Sequence, residues 1–421
     1  MIILGENAFY NPTYKSNANN LLIGAPGTGK TRSFVLPNLM NATEESIIVL
    51  DPKCEIYSLT HNMMEQKGYR THTLNFINPQ KSTLKYNPLY YCKNEDDILK
   101  LSELLVSDLR ARCNDLFWPT SSQILCNALI AYLKSYRSPK DHTLNSILKL
   151  LRVATVIEDN PEAHQSRLDR VFKEVESKDP SSWALSQYEL VKKAAGKTQK
   201  SIIISLIAEF CGILTPQIVE LTSKNTIDLE EFTKHKTIIY VNCSDTDRSK
   251  DMLISLFFTQ LFQELYKMAD NEPSRSLKRP VHVILDDMGA NLTIPNLDGI
   301  ISTSRGRDIS ISIILQSIGQ LKKKYTDYTS IINSCTNVVF LGGSDIETCQ
   351  EISLRLNKPL YDILYKSPET IYVFKQGEKP ITTKVYDIKK DVSYSLLNDN
   401  QYNEDTDCTT ERESFSREEG R

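Results

Sequence analysis

The residues Gly24-Ala25-Pro26-Gly27-Thr28-Gly29-Lys30-Thr31 form an unbroken G-x-x-x-x-G-K-[ST] pattern, preceded by the apolar run Asn20-Leu21-Leu22-Ile23. Glycines at that spacing let the main chain curl until successive N–H groups point inward at one anion. The lysine adds a point charge for β/γ-phosphate oxygens, and the threonine hydroxyl is a ligand for Mg²⁺. The chemistry implied is the binding of ATP with Mg²⁺ along 24–31, with Thr31 on the metal side. A glycine turn without a ligand is the alternative, and a strand before and a helix after the loop weigh against it.

Hydrolysis of a bound triphosphate needs an acid to fix the metal and a group to orient the attacking water. The run Val281-His282-Val283-Ile284-Leu285-Asp286-Asp287 offers both at one strand end. In open α/β sheets ligands sit at the carboxyl ends of strands. Asp286 is therefore expected on the Mg²⁺ side and Asp287 as the group polarising water; two solvated aspartates closing an ordinary strand are the alternative. Gln316 ends another apolar run, 309–315, where a polar side chain could sense the γ-phosphate. Arg305 and Arg307 precede that run in a Ser-Arg-Gly-Arg-Asp turn, and a guanidinium presented there could stabilise transition-state charge in a neighbouring subunit.

The elements that must position these residues read as short apolar runs bounded by turn residues, at 20–24, 46–51, 237–242, 281–286, 309–316, 337–341 and 370–374. Continuous rather than alternating apolarity predicts a mostly parallel sheet covered on both faces, hence an α/β fold. Between about 93 and 236 helical periodicity replaces such runs. Ile98, Leu101, Leu105 and Leu109 recur at three- and four-residue steps over 97–112, as do Leu125, Leu129 and Tyr132 over 121–136. Asn160-Pro161, Asp179-Pro180 and Thr215-Pro216 are expected helix boundaries. The chain thus divides into a nucleotide-binding domain at 1–92 and 237–390, an all-helical insertion at 93–236, and a polar tail at 391–421 expected to be disordered.

The 421 residues exceed what one core supports, so two folded units are expected. Hydrophobic residues at 40%, charged residues at 24% and a net charge of -3 exclude a wholly basic nucleic-acid coat and confine any DNA contact to local patches. The 9 cysteines lack a C-x-x-C pair, which suits reduced thiols in the cytosol. No run approaches the ~18 apolar residues of a membrane span. Residues 1–20 are too polar for a signal peptide.

Over about 20–385 the sequence resembles the TraG/TraD-type coupling proteins of type IV secretion systems. The resemblance rests on ordered features: the phosphate loop, Asp51-Pro52-Lys53-Cys54-Glu55-Ile56-Tyr57, Asn87-Pro88-Leu89, the Asp286-Asp287 strand, and Leu315-Gln316-Ser317 with Gln320-Leu321. It implies a RecA-like P-loop NTPase assembled as a homo-hexameric ring at the cytosolic face of the cell membrane. It also implies ATP-driven movement of single-stranded DNA into the secretion channel, with the helical domain recruiting a relaxase. By position, Lys30 and Thr31 would bind nucleotide and Mg²⁺, Asp286 and Asp287 would be the Walker B pair, Gln316 the sensor, and Arg305 the arginine given to the adjacent subunit.

The chain departs from the family pattern in carrying Asp287 for a glutamate, Cys54 for a glycine, and no initial membrane helices, which leaves membrane contact to a partner or a missing segment. The shorter Asp287 sets a base about 1.5 Å back, and small misplacements cost around a hundredfold in rate. Two other functions share the same nucleotide site. One is an ATPase acting on protein substrates, the other a weakly hydrolysing, nucleotide-gated adaptor.

Overall fold

A computed structural model describes residues 1–12, 17–154 and 166–397, and its compact units are two in number. One gathers 1–81, 228–248 and the chain from 261; the other holds 82–227 with 249–260. The units change over earlier than 92/93 and 236/237, and the long helix Asp251–Asn271 is shared at Gln260/Leu261.

In the first unit, β1 (Ile2–Gly5) and β2 (Ala8–Tyr10) form an antiparallel hairpin. The remaining strands are β3 (Asn20–Gly24), β4 (Ser46–Asp51), β5 (Arg70–Asn75), β6 (Thr237–Asn242), β7 (Val281–Leu285), β8 (Ile309–Leu315), β9 (Asn337–Gly342), β10 (Thr370–Lys375) and β11 (Ile381–Lys384). They make one 9-stranded sheet in the order β11-β10-β9-β3-β8-β7-β4-β6-β5. From β9 to β5 every pairing is parallel, whereas β10 runs antiparallel to both neighbours. The sheet is mixed but mostly parallel, and every residue of β3, β4, β6, β7 and β9 is buried. Burial on both faces is what continuous apolar runs require, and each expected run is a strand to within a residue or two.

The strands that composition does not announce lie at the rims. Residues of β5, Arg-Thr-His-Thr-Leu-Asn, start exposed and end buried, and those of β11, Ile-Thr-Thr-Lys, alternate between half-buried and exposed. A strand with one neighbour and a wet face carries polar side chains and no apolar run.

A buried polar row crosses the inner strands. Asn337 donates to Asn20 Oδ1 at 2.8 Å, Asn20 to Ser312 Oγ at 2.9 Å, and His282 Nε2 lies 2.8 Å from the same hydroxyl. Beside it Asn19 Nδ2 reaches Ile301 O (3.0 Å) and Ser304 Oγ (3.1 Å), while its Oδ1 accepts the Ile311 N–H (2.8 Å). This single amide therefore ties the turn that carries Arg305 to the strand that feeds the phosphate loop.

The second unit is helical. The periodic stretch 97–112 is not one helix: Glu95–Leu105 stops at Val106 (φ -107, ψ 10) before Ser107–Arg112 begins. Phe117–Tyr136 supplies the central face, on which Tyr132, Phe172 and Tyr188 cluster, the last two stacked at 4.0 Å between ring centroids. Asp179-Pro180 separates Arg167–Lys178 from Trp183–Lys192, and Thr215 caps Pro216–Leu221, as expected of proline boundaries. Asn160-Pro161 lies outside the described residues.

The tail expected to be disordered from 391 is ordered at its start. Asp391 accepts hydrogen bonds from Asn41 Nδ2 and Tyr386 Oη, both at 2.8 Å, and Leu397 is buried, so the polar composition hides an anchored segment. Residues 398–421 lie outside the described residues.

Candidate functional site

β3 ends at Gly24, and the main chain turns back over the sheet edge between β9 and β8. The Ala25 N–H is held by Gly342 O at 2.8 Å, and the Ala25 carbonyl accepts from Thr28 N (3.2 Å) and Thr28 Oγ1 (2.8 Å). Gly27 (φ 79) and Gly29 (φ 76) take left-handed conformations, which side chains resist. Lys30 Nζ points back over this loop to Ala25 O at 3.4 Å. Burial lowers its pKa, a shift that Asp287 and Asp286 oppose and Lys53 reinforces.

β7 lies beyond β8 as seen from the loop, and its end delivers Asp286 back toward it. Thr31 Oγ1 donates to Asp286 Oδ2 at 2.8 Å, joining residues 255 apart in sequence. Two oxygens on adjacent corners of an octahedron with ~2.1 Å metal–oxygen bonds stand ~3.0 Å apart, so this pair fits Mg²⁺. Burial pushes the Asp286 carboxyl up to about 6, with the Thr31 hydroxyl pulling down and Asp287 pushing further up.

Asp287 leaves the strand at φ 48, a left-handed conformation that aspartate accepts more readily than longer side chains. Gln316 Nε2 straddles its carboxylate, 3.1 Å from each oxygen. The structure thus brings together Lys30, Thr31, Asp286, Asp287 and Gln316. Arg305 does not join them: it is exposed on the turn before β8, whereas Gln316 follows that strand's other end. Seven strand residues span about 23 Å, so Arg305 stands at the opposite rim of its own sheet. Its companion Arg307 is committed locally, paired to both carboxylate oxygens of Asp270 (2.9 and 3.0 Å) and lying over the Tyr266 ring.

Asp51, first residue of the motif 51–57, borders the site on the strand next to β7. At the end of β4 it lies 1% exposed and accepts from Tyr57 N (2.9 Å) and Asn242 Nδ2 (3.3 Å). Burial pushes its carboxyl up to about 7 against the N–H groups of Tyr57 and Ile56, and neighbouring Asp286 adds to the rise. Its partner Asn242 sits on β6 and nothing in the local sequence marks it; the register Asp51↔Asn242 does. Cys54, in the glycine position of the same motif, holds the left-handed conformation at φ 56 and keeps the turn. In the consecutive lysines Lys322-Lys323-Lys324, Lys322 pairs with Glu347 and Lys324 caps Leu292 O at 2.9 Å, so those two are engaged within the fold.

Comparison with known proteins agrees with this geometry. The family described as "Type IV secretory system Conjugative DNA transfer" matches residues 4–358. Among solved structures, the unbound bacterial conjugative coupling protein TrwBdeltaN70 superposes with a TM-score of 0.65 at 16% identity, covering 88% of this chain and 85% of that one. The plasmid coupling protein TrwB in complex with ADP and Mg²⁺ gives 0.63 at 15% identity, covering 87% and 85%. VirB4 of Thermoanaerobacter pseudethanolicus gives 0.56 at 12% identity, covering 92% and 96%. No curated protein matches the chain significantly by sequence. At these identities the structural likeness speaks to the fold, an α/β RecA-like P-loop NTPase with many helices. No helix among the described residues is long and apolar enough to cross a membrane. With a family match over most of its length on top of that fold, the chain belongs to the conjugative DNA-transfer family of type IV secretion systems.

Proposed function

We propose that this chain is an ATP-hydrolysing motor that moves single-stranded DNA, with its relaxase, into a type IV secretion channel. The observation that carries the reading is the 2.8 Å contact of Thr31 Oγ1 with Asp286 Oδ2 beside Lys30. The main chain of 24–31 cradles the triphosphate, and Lys30 neutralises its outer oxygens. Thr31 and Asp286 hold Mg²⁺, which supplies charge neutralisation at the phosphates. Asp287 orients the attacking water and takes up its proton, while Gln316 fixes the direction in which that carboxylate faces. Arg305 serves the site of an adjacent subunit in a homo-hexamer, which accounts for its distance from its own. The helical segment recognises the relaxase cargo, and a partner or a further segment holds the ring at the membrane. That TrwB was solved with ADPNP and with ADP and Mg²⁺ supports the nucleotide and the metal.

One observation favours a weakly hydrolysing adaptor instead: both oxygens of the shortened Asp287 are already engaged by Gln316. ATP turnover by the purified protein, measured with and without single-stranded DNA while assembly is followed, separates the readings. The motor requires turnover raised by DNA and lowered ~10²–10³-fold in Lys30→Ala and Asp286→Asn. Stimulation by a protein partner alone would transfer the activity to protein substrates. Failure to bind nucleotide at millimolar concentration would end the motor reading.

A further inference from the structure

Gln320 lies outside the phosphate cradle, yet its amide is built into the wall behind it. Gln316 is the first residue past β8, where the ladder no longer satisfies its N–H. Gln320 Oε1 accepts that N–H at 2.8 Å from the first turn of the helix Ile318–Lys324. The same amide fills the space over Gly289, two residues beyond Asp287. A Cβ on Gly289 would stand 2.0 Å from Gln320 Oε1, 2.3 Å from its Cδ and 2.9 Å from its Cβ. One turn further along, Lys324 Nζ binds Met288 O (3.4 Å) and Leu292 O (2.9 Å). The segment after β7 and the helix after β8 are thereby clasped together, with the Asp287–Gln316 contact at the open end of the clasp.

We propose that Gln320 is a positioning residue for hydrolysis: by gripping the Gln316 backbone it holds the Gln316 amide against both oxygens of Asp287. Glycine at 289 is the complementary half of this device, since only an absent side chain leaves room for the gripping amide. The inference rests on the reading of Asp287 and Gln316 as the pair that orients water. A main chain released by a fraction of an ångström carries the sensor amide with it, and misplacement by about 1 Å can cost a hundredfold in rate.

The test is steady-state ATP turnover with nucleotide affinity and thermal unfolding measured on the same preparations. Gln320→Met keeps the volume and removes the acceptor; Gln320→Ala removes both. Each is expected to lower kcat between about tenfold and a hundredfold, with KM and ADP affinity within about twofold of wild type. Gln320→Glu restores the acceptor and should recover most of the turnover. Gly289→Ala, which expels the amide, should match Gln320→Ala, and the double variant should be no slower than either single one. Unchanged kcat in both Gln320→Met and Gln320→Ala overturns the proposal, as does a loss that appears in KM alone or that Gln320→Glu does not repair. Lys30→Ala in parallel separates the two levels: if it abolishes turnover while the Gln320 variants leave kcat unchanged, the motor stands and the clasp falls. If wild type shows no turnover, both fall.

Discussion

Cys54 sits in the left-handed region at φ 56 with its side chain buried, a place where most side chains cost about 1 kcal/mol and glycine costs nothing. Replacement by alanine keeps that strain and loses the sulfur's contacts, whereas glycine loses the contacts and the strain together. Urea unfolding should therefore find Cys54→Gly more stable than Cys54→Ala by about 1 kcal/mol. The reverse order would mean the turn is unstrained. Two buried titrating residues act in opposite directions. Asp51, raised from 3.8 to about 7 by burial, keeps its proton when folded at a pH where the unfolded chain has lost it. Its contribution to stability declines as pH rises from about 4 to about 7. His282, lowered from 6.5 to about 4 by burial, stays neutral when folded while the unfolded imidazole charges, so its contribution is lost as pH falls across that interval. Thermal melts of His282→Gln between pH 4 and 7 should show Tm dropping with rising pH relative to wild type. Parallel profiles would contradict the burial argument.

At the scale of elements, the sheet is held in register by side chains as well as by its ladders. Asn19, 1% exposed, satisfies the Ile311 N–H, the Ile301 carbonyl and the Ser304 hydroxyl at once. Asn19→Ala strands those groups in a dry interior, and one or two unsatisfied partners cost ~2–4 kcal/mol. Equilibrium denaturation should register a loss of that size; a loss below ~1 kcal/mol would show that water takes the amide's place. The strands on either side were legible because burial on both faces favours apolar residues along most of each strand. The amides that lock them were not, since nothing local tells Asn19 or Asn20 apart from any polar residue at a strand's start, and the partners, Ser304 and Ile311 for Asn19 and Ser312 and Asn337 for Asn20, are remote in sequence.

At the scale of the whole molecule, the arginine and the site it would serve occupy opposite rims of one sheet, so activity should depend on assembly. Arg305→Ala is expected to bind nucleotide normally and to lose ~10³-fold in turnover, as removal of an arginine finger does. Mixing it with Lys30→Ala should restore part of the activity, because a Lys30→Ala subunit still offers Arg305 to a neighbour whose phosphate loop is intact. Turnover in the mixture no greater than the sum of the separate variants excludes action between subunits. Under the proposed motor reading, a net charge of -3 would confine DNA contact to local patches, and such patches repeated around a ring can hold a phosphate backbone without making the chain basic.

The sequence by itself determined the phosphate loop, the paired acids and the α/β class. Each of these is a local pattern in which chemistry or burial limits the residue types within a few consecutive positions. Tertiary structure alone decided that Thr31 meets Asp286, that Gln316 faces Asp287, that Asp51 sits dry beside them on the next strand, and that Arg305 stays away. Strand order is the reason. Which strands become neighbours depends on how helices pack across the sheet faces, and that is a property of the whole chain.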